Sequence, residues 1–292
     1  MNHQPDFIII GAMKCATSTL HEQLAMQPGI FMSELKEPNF FSNDEQYAKG
    51  FEWYLNNFQA AKTSDICGES STHYTKLPTY PQTVERIDRY YPNIKLIYIM
   101  RHPIDRLVSQ YIHEWTQNII SQNINKAIYQ YSELIDYSRY SMQLEPYLNA
   151  FPHEQILPVF FERLLSNKQS ELERICRFIG YAEQPTWRES DDVHNASNER
   201  IRKNKLRDLL IEAPGLKAIR QNFVPKSWRD RVRSLWQMKQ KPQLESEQLD
   251  YLQTIFDRDL ANLKSWLKIE LSCENFKSVV KSPNLKYGIF DE

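Results

Sequence analysis

The chain has almost no charge of one sign to spare: 36 Lys and Arg stand against 37 Asp and Glu, for a formal charge of −1 and a pI of about 6.7. So even a balance sets up no global field, which excludes bulk electrostatic recruitment of nucleic acid or an anionic membrane and speaks against a long polyanionic glycan as ligand. Long apolar runs are missing too. None approaches the roughly 18 to 20 residues that a membrane span needs. The opening MNHQPDF has neither the basic nor the apolar region of a secretory signal, so a soluble, cytoplasmic protein is expected. Cys15, Cys67, Cys176 and Cys273 form no CxxC pair and have no histidine at metal-ligand spacing, which leaves no basis for a zinc site or a disulfide framework. Cys67 and Cys176 fall in apolar-periodic segments, as buried thiols of a reducing compartment do. There is no internal repeat.

What is present is a core. At 292 residues and 41% hydrophobic, the chain fits one large α/β domain, alone or with an appendage. Phe7 to Ile10 is a short apolar run ending at Gly11 and reads as a buried strand. Further strands are expected at 30–32, 65–69, 95–100 and 156–161, the best of them KLIYIM at 95–100. Helices are expected at 18–27, around 47–58 from the spacing of aromatics, at 81–90, from Pro103, at 125–150, and ending at Gly180. Strands alternating with helices predict a three-layer α/β fold around a central parallel sheet. Beyond about residue 200 the sequence turns helical and basic, so the expected division is a core over 1–210 and a helical C-terminal extension over 211–292 packed on it. The basic stretch from Pro214 to Lys241 reads as a solvated helical face.

The most informative residues are GAMKCATSTL, Gly11 to Leu20, between the first strand and the first helix. A turn there aims backbone N–H groups and the positive helix end at one point, where an anion is favoured. Lys14 adds a full charge, and Thr17, Ser18 and Thr19 add hydroxyl donors. The alternative is a plain capped helix start with Thr17 or Ser18 as cap. A cap needs one hydroxyl, though, not three behind a lysine. Against GxxxxGK[ST], the lysine comes three places early, and KLIYIM ends in Arg101 where a kinase or ATPase wants a Mg²⁺-holding Asp. An ATP-dependent kinase is thereby disfavoured. Arg101 instead offers a rigid fork of donors matched to a second phosphate, with Ser109 about two helical turns on. Its alternative is a surface salt bridge to Asp105.

Taken together, GAMKCATSTL and RHPIDRLVSQY (Arg101 to Tyr111) resemble the 5′-phosphosulfate loop and the 3′-phosphate motif of the sulfotransferases that use 3′-phosphoadenosine 5′-phosphosulfate (PAPS). The likeness extends over roughly Asp6 to Gly180. KEPNFFS (Lys36 to Ser42) is similar to the segment bearing the catalytic Glu in the heparan-sulfate-modifying and bacterial branches, and GESSTHY (Gly68 to Tyr74) to the next active-site strand, with Ser70 where many members carry Lys. The usual loop glycine is Ala16. The resemblance implies PAPS as co-substrate and PAP as product, no required metal, and in-line transfer to a small-molecule hydroxyl or amine. It assigns Lys14 to the leaving group, and Cys15, Ala16, Thr17, Ser18 and Thr19 to the phosphosulfate. Arg101 and Ser109 go to the 3′-phosphate, with Arg200 and Arg202 of NERIRKNK as candidates for the later 3′-phosphate loop. Glu37 is the favoured base and His73 its rival. Tyr74 and Trp115 are the aromatics expected to line an acceptor pocket. A nucleotide-binding protein that has lost catalysis is the alternative from another class, with Ser70 as its footing.

Overall fold

The computed structural model describes residues 3–189, 238, 241–283 and 285–287. Its centre is a five-stranded sheet in the order β2-β3-β1-β4-β5, with every neighbouring pair parallel. The strands are β1 Phe7–Gly11, β2 Ile30–Met32, β3 Ile66–Ser70, β4 Lys95–Met100 and β5 Ile156–Phe160. Parallel strands need crossovers, and helices cover the sheet accordingly. All five residues of β1 are buried, as the apolar run FIIIG demands. Gly68 on β3 is required by packing: opposite it in register stands Phe7, whose ring would collide with any Cβ there.

Helix α1 (Thr17–Ala25) follows β1, and α2 (Asp44–Tyr47) and α3 (Phe51–Leu55) lie between β2 and β3. The aromatics of that segment were expected on one helix. Gly50, at φ +87°, breaks it in two, and a 3₁₀ turn (Asn56–Phe58) follows. Helix α4 (Thr83–Tyr90) leads into β4, and α5 (Pro103–Thr116) leaves it with Pro103 in its first turn.

The expected helix over 125–150 is instead α6 (Ile124–Gln130), α7 (Glu133–Asp136) and α8 (Tyr140–Ala150). Arg106, fully buried on α5, occupies the break, donating to Ser138 Oγ at 2.6 Å and the Leu134 carbonyl at 3.0 Å. Helices α9 (Phe161–Ser166) and α10 (Lys168–Ile179) follow β5, and Gly180 ends α10 in the left-handed conformation.

Among the described residues beyond 240 there are only helices: α11 (Ser246–Asn262), α12 (Lys264–Leu267) and α13 (Phe276–Val280). Leu252 and Phe256 of α11 share a hydrophobic cluster with Ile104, Leu107 and Val108 of α5. Asp259 accepts from the amides of Ser141 and Met142 at 2.9 and 3.2 Å, capping α8 from a distant element. The expected boundary at 210 and the basic stretch up to Lys241 lie almost wholly outside the described residues. No described helix is long and apolar enough to cross a membrane.

Candidate active site

The strand order puts the site where the two halves of the sheet diverge. From β1 the chain crosses to β2 on one side, and from β4 it crosses to β5 on the other. The crevice at the carboxyl ends of β1 and β4 is the switch point where open α/β sheets bind ligands. GAMKCATSTL leaves β1 there and Arg101 leaves β4, so the two anion motifs adjoin. Arg101 Nη1 donates to the Lys14 carbonyl at 3.2 Å.

Loop geometry follows from three backbone choices. Gly11 stands at φ +151° with Thr75 Oγ1 in the space of a Cβ, because that hydroxyl bonds the Ile10 carbonyl at 2.8 Å. Lys14 and Ala16 sit at φ 70° and 64°. Ala16 thus holds a left-handed position that glycine takes at no steric cost, which explains the usual glycine there. α1 then opens with no side-chain cap, so Thr17 and Ser18 are not the caps that the alternative reading required. Its first-turn amides are left open at the N-terminal end, where Thr17 is buried, Thr19 half-buried and Ser18 exposed. The Cys15 amide does not join them. It closes the turn on the Ala12 carbonyl at 3.2 Å, and the Cys15 thiol is fully buried, its pKa pushed up to about 12.

Lys14 is largely buried, and desolvation with the nearby Arg101 charge lowers its pKa. Arg101 lies over the Phe161 ring at 4.5 Å, and Tyr140 braces its backbone by accepting from the amide (3.1 Å) and donating to the carbonyl (2.6 Å). Among the described residues Arg101 Nε is buried without a partner. Asp105 pairs with Lys277 at 2.6 Å instead, so the surface salt bridge to Arg101 does not form. Arg106, which sequence reasoning passed over, is a second buried guanidinium, its Nη1 without a partner among the described residues. Buried donors left unsatisfied are costly. Ser109 is partly exposed on α5, on the same helix that Arg101 leads into.

Glu37 sits in the loop after β2 at φ 58°, its amide bonded to the Ser70 carbonyl at 3.0 Å. Thr72 Oγ1 donates to both carboxylate oxygens at 3.3 and 3.2 Å, and Lys36 Nζ stands 3.5 Å away with both side chains about a third exposed. Phe40 and Phe41, fully buried, pin the loop to the core. His73, on the 3₁₀ turn Thr72–Thr75 after β3, stacks on Tyr80 at 4.9 Å with Nδ1 buried and unpartnered. Burial and Lys76 push its pKa down to about 4, despite Glu37.

Tyr74 does not line a pocket. It is 2% exposed, its hydroxyl accepting from the Phe41 amide at 3.4 Å and its carbonyl taking the Tyr147 hydroxyl at 2.7 Å. The aromatic at the end of GESSTHY packs into the core instead. Trp115 is half-buried against the α5–α11 cluster. Arg200 and Arg202 lie outside the described residues. His21, unmarked by any motif, faces Ser70 Oγ at 2.6 Å, and burial with the Lys36 charge lowers its pKa to about 4. Glu69 is a buried structural carboxylate, accepting from Tyr54 at 2.5 Å and Ser71 at 2.6 Å.

A parallel α/β sheet with two adjoining candidate anion motifs and a flanking carboxylate at its switch point has the architecture of nucleotide-binding α/β proteins. The sulfotransferase domain family matches residues 4–264, and the chain belongs to it. Mouse heparan sulfate glucosamine 3-O-sulfotransferase 5 is 32% identical over 191 residues, covering 60% of this chain and 53% of the relative. A mouse bifunctional heparan sulfate N-deacetylase/N-sulfotransferase 4 is 28% identical over 200 residues, with 61% and 22% covered. The chain therefore spans about half the length, or less, of these curated relatives. The crystal structure of a sulfotransferase from Alicyclobacillus acidocaldarius shares the fold at a TM-score of 0.63 and 21% identity, over 90% of this chain and 95% of that one.

Proposed function

We propose that the chain transfers the sulfuryl group of PAPS to a hydroxyl or amine of a small-molecule acceptor. One observation carries the reading: Lys14, the open first turn of α1 and Arg101 adjoin at the carboxyl ends of β1 and β4, with Arg101 Nη1 on the Lys14 carbonyl. Such a cradle suits a ligand with two separated phosphate groups. Lys14 and the amides and hydroxyls of Thr17 to Thr19 hold the phosphosulfate, and Arg101 and Ser109 the 3′-phosphate. Arg200 and Arg202 are proposed to add to the latter.

In the reaction the bond from sulfur to the bridging phosphate oxygen breaks as the acceptor oxygen or nitrogen bonds to sulfur in line. Lys14 neutralises the charge growing on the leaving phosphate, and Glu37 takes the acceptor proton. Thr72 holds that carboxylate in place. Support for a small acceptor is the near-neutral chain and the carboxylates Glu37 and Glu114 near Lys14 and Lys76. Support for the cytoplasm is four cysteines free and buried. The test is transfer of label from PAPS to a panel of alcohols, phenols, amines and heparan oligosaccharides. Transfer only to the oligosaccharides would replace the acceptor class, and transfer to none would favour a binding protein.

A further inference from the structure

Three consecutive residues at the end of β3 grip the loop that carries Glu37. The Ser70 carbonyl takes the Glu37 amide at 3.0 Å, Ser71 Oγ takes the Asn39 amide at 3.1 Å, and Thr72 Oγ1 donates to the Glu37 carboxylate. Pro38, between Glu37 and Asn39, has no N–H to give. Both amides of the Glu37–Asn39 stretch therefore end on Ser70 and Ser71. The stretch needs that hold, because Glu37 and Asn39 stand at φ 58° and 53°, a left-handed region that non-glycine residues enter at a cost. Such a conformation persists only where its surroundings fix it.

The Ser71 hydroxyl is itself fixed. In extended chain, residues two apart share a face, so Glu69 and Ser71 point the same way, while Ser70 Oγ turns to His21 on α1 at 2.6 Å. Ser71 Oγ donates its one proton to Glu69 Oε1 at 2.6 Å, and the Tyr54 hydroxyl donates to Oε2 at 2.5 Å. Glu69 and Ser71 are both fully buried, so solvent does not screen the bond between them. With its proton committed to the carboxylate, the hydroxyl is left to accept from Asn39.

We propose that Glu69 and Ser71 are positioning residues for the catalytic base: Glu69 orients the Ser71 hydroxyl, and Ser71 holds the Asn39 amide, which keeps Glu37 turned toward Thr72 and the acceptor. This rests on the reading of Glu37 as base.

The experiment has a structural and a chemical readout. In Ser71→Ala, amide hydrogen exchange followed by ¹⁵N NMR should show Asn39, and Glu37 with it, losing protection, while the amides of β1 and β4 keep theirs. Unchanged protection at Asn39 overturns the proposal. Transfer from PAPS is compared for benzyl alcohol, which needs a base, and p-nitrophenol, which ionises unaided. Transfer to the alcohol should fall about tenfold or more, within the roughly 10²-fold that a misplacement of about 1 Å costs. Transfer to the phenol and the dissociation constant for PAP should hardly move. A hydroxyl that only supports the fold would lower both transfers alike, and that result overturns the proposal. Where Ser71→Ala proves too unstable, Glu69→Gln/Ser71→Ala tests the same step without leaving a buried carboxylate short of a donor. Glu37→Gln is the reference: it should show the same alcohol-selective loss, and adding Ser71→Ala to it should cost little more. Full transfer to the alcohol by Glu37→Gln removes Glu37 as the base. A selective loss in Glu37→Gln with none in Ser71→Ala removes only the positioning role, so the two failures are distinct.

Discussion

Replacing Arg101 with alanine separates the two halves of the anion site. The backbone at this strand end is held by Tyr140 through both amide and carbonyl, so truncating the side chain leaves the turn in place. What goes is one bond to the Lys14 carbonyl, the contact with Phe161, and the fork aimed into the crevice. The Phe161 contact contributes about 0.5–1 kcal/mol to folding, so the variant should fold. A charged hydrogen bond to phosphate contributes about 1.5–3 kcal/mol, which raises the dissociation constant for PAP roughly 10- to 150-fold. AMP lacks the 3′-phosphate, so its affinity should change by no more than about 0.5 kcal/mol, the coupling expected between independent sites. Calorimetric titration of both ligands into both proteins completes the cycle. Equal weakening of AMP and PAP would refute a 3′-phosphate site at Arg101.

Lys14→Ala should cut turnover far more than it weakens PAP binding, because its contribution grows as the leaving oxygen gains charge; rapid-quench rates beside PAP titrations check this. Ala16→Gly should raise stability by about 0.5–1 kcal/mol in urea melts, since relief of the left-handed alanine exceeds the extra entropy of glycine in the unfolded chain, and PAP binding should persist. The folded-state pKa of His21 lies below its unfolded value, so its contribution is intact above about 6.5 and is lost as pH falls toward about 4. His21→Gln should therefore flatten the acid side of a pH–stability curve measured by chemical denaturation.

How much of this was readable before the structure depended on whether local signals agreed. FIIIG and KLIYIM are apolar, short and bounded by turns, so strands β1 and β4 were plain. The two anion motifs follow those strands directly and shared their clarity. The helix over 125–150 failed because its breaks answer to partners remote in sequence, Arg106 within the gap and Asp259 at the start of α8. Tyr74 failed because a buried aromatic and a pocket aromatic carry the same local signature. His21 went unseen for the same kind of reason: no spacing joins position 21 to Ser70, and only the packing of α1 on β3 brings the two together. Arg106 was hidden in plain view within RHPIDRLVSQY, its role set by burial rather than by residue type.

Single-turnover transfer of label from PAPS to an alkyl alcohol or amine reports whether this crevice transfers a sulfuryl group with Glu37 as the proposed base. Glu37→Gln should bind PAP as the unmodified protein does, yet transfer label at least about 10²-fold more slowly, the scale of a lost general base. His73→Ala should lose less. A Glu37→Gln protein that transfers label at the unmodified rate, with His73→Ala inactive, would make His73 the base instead.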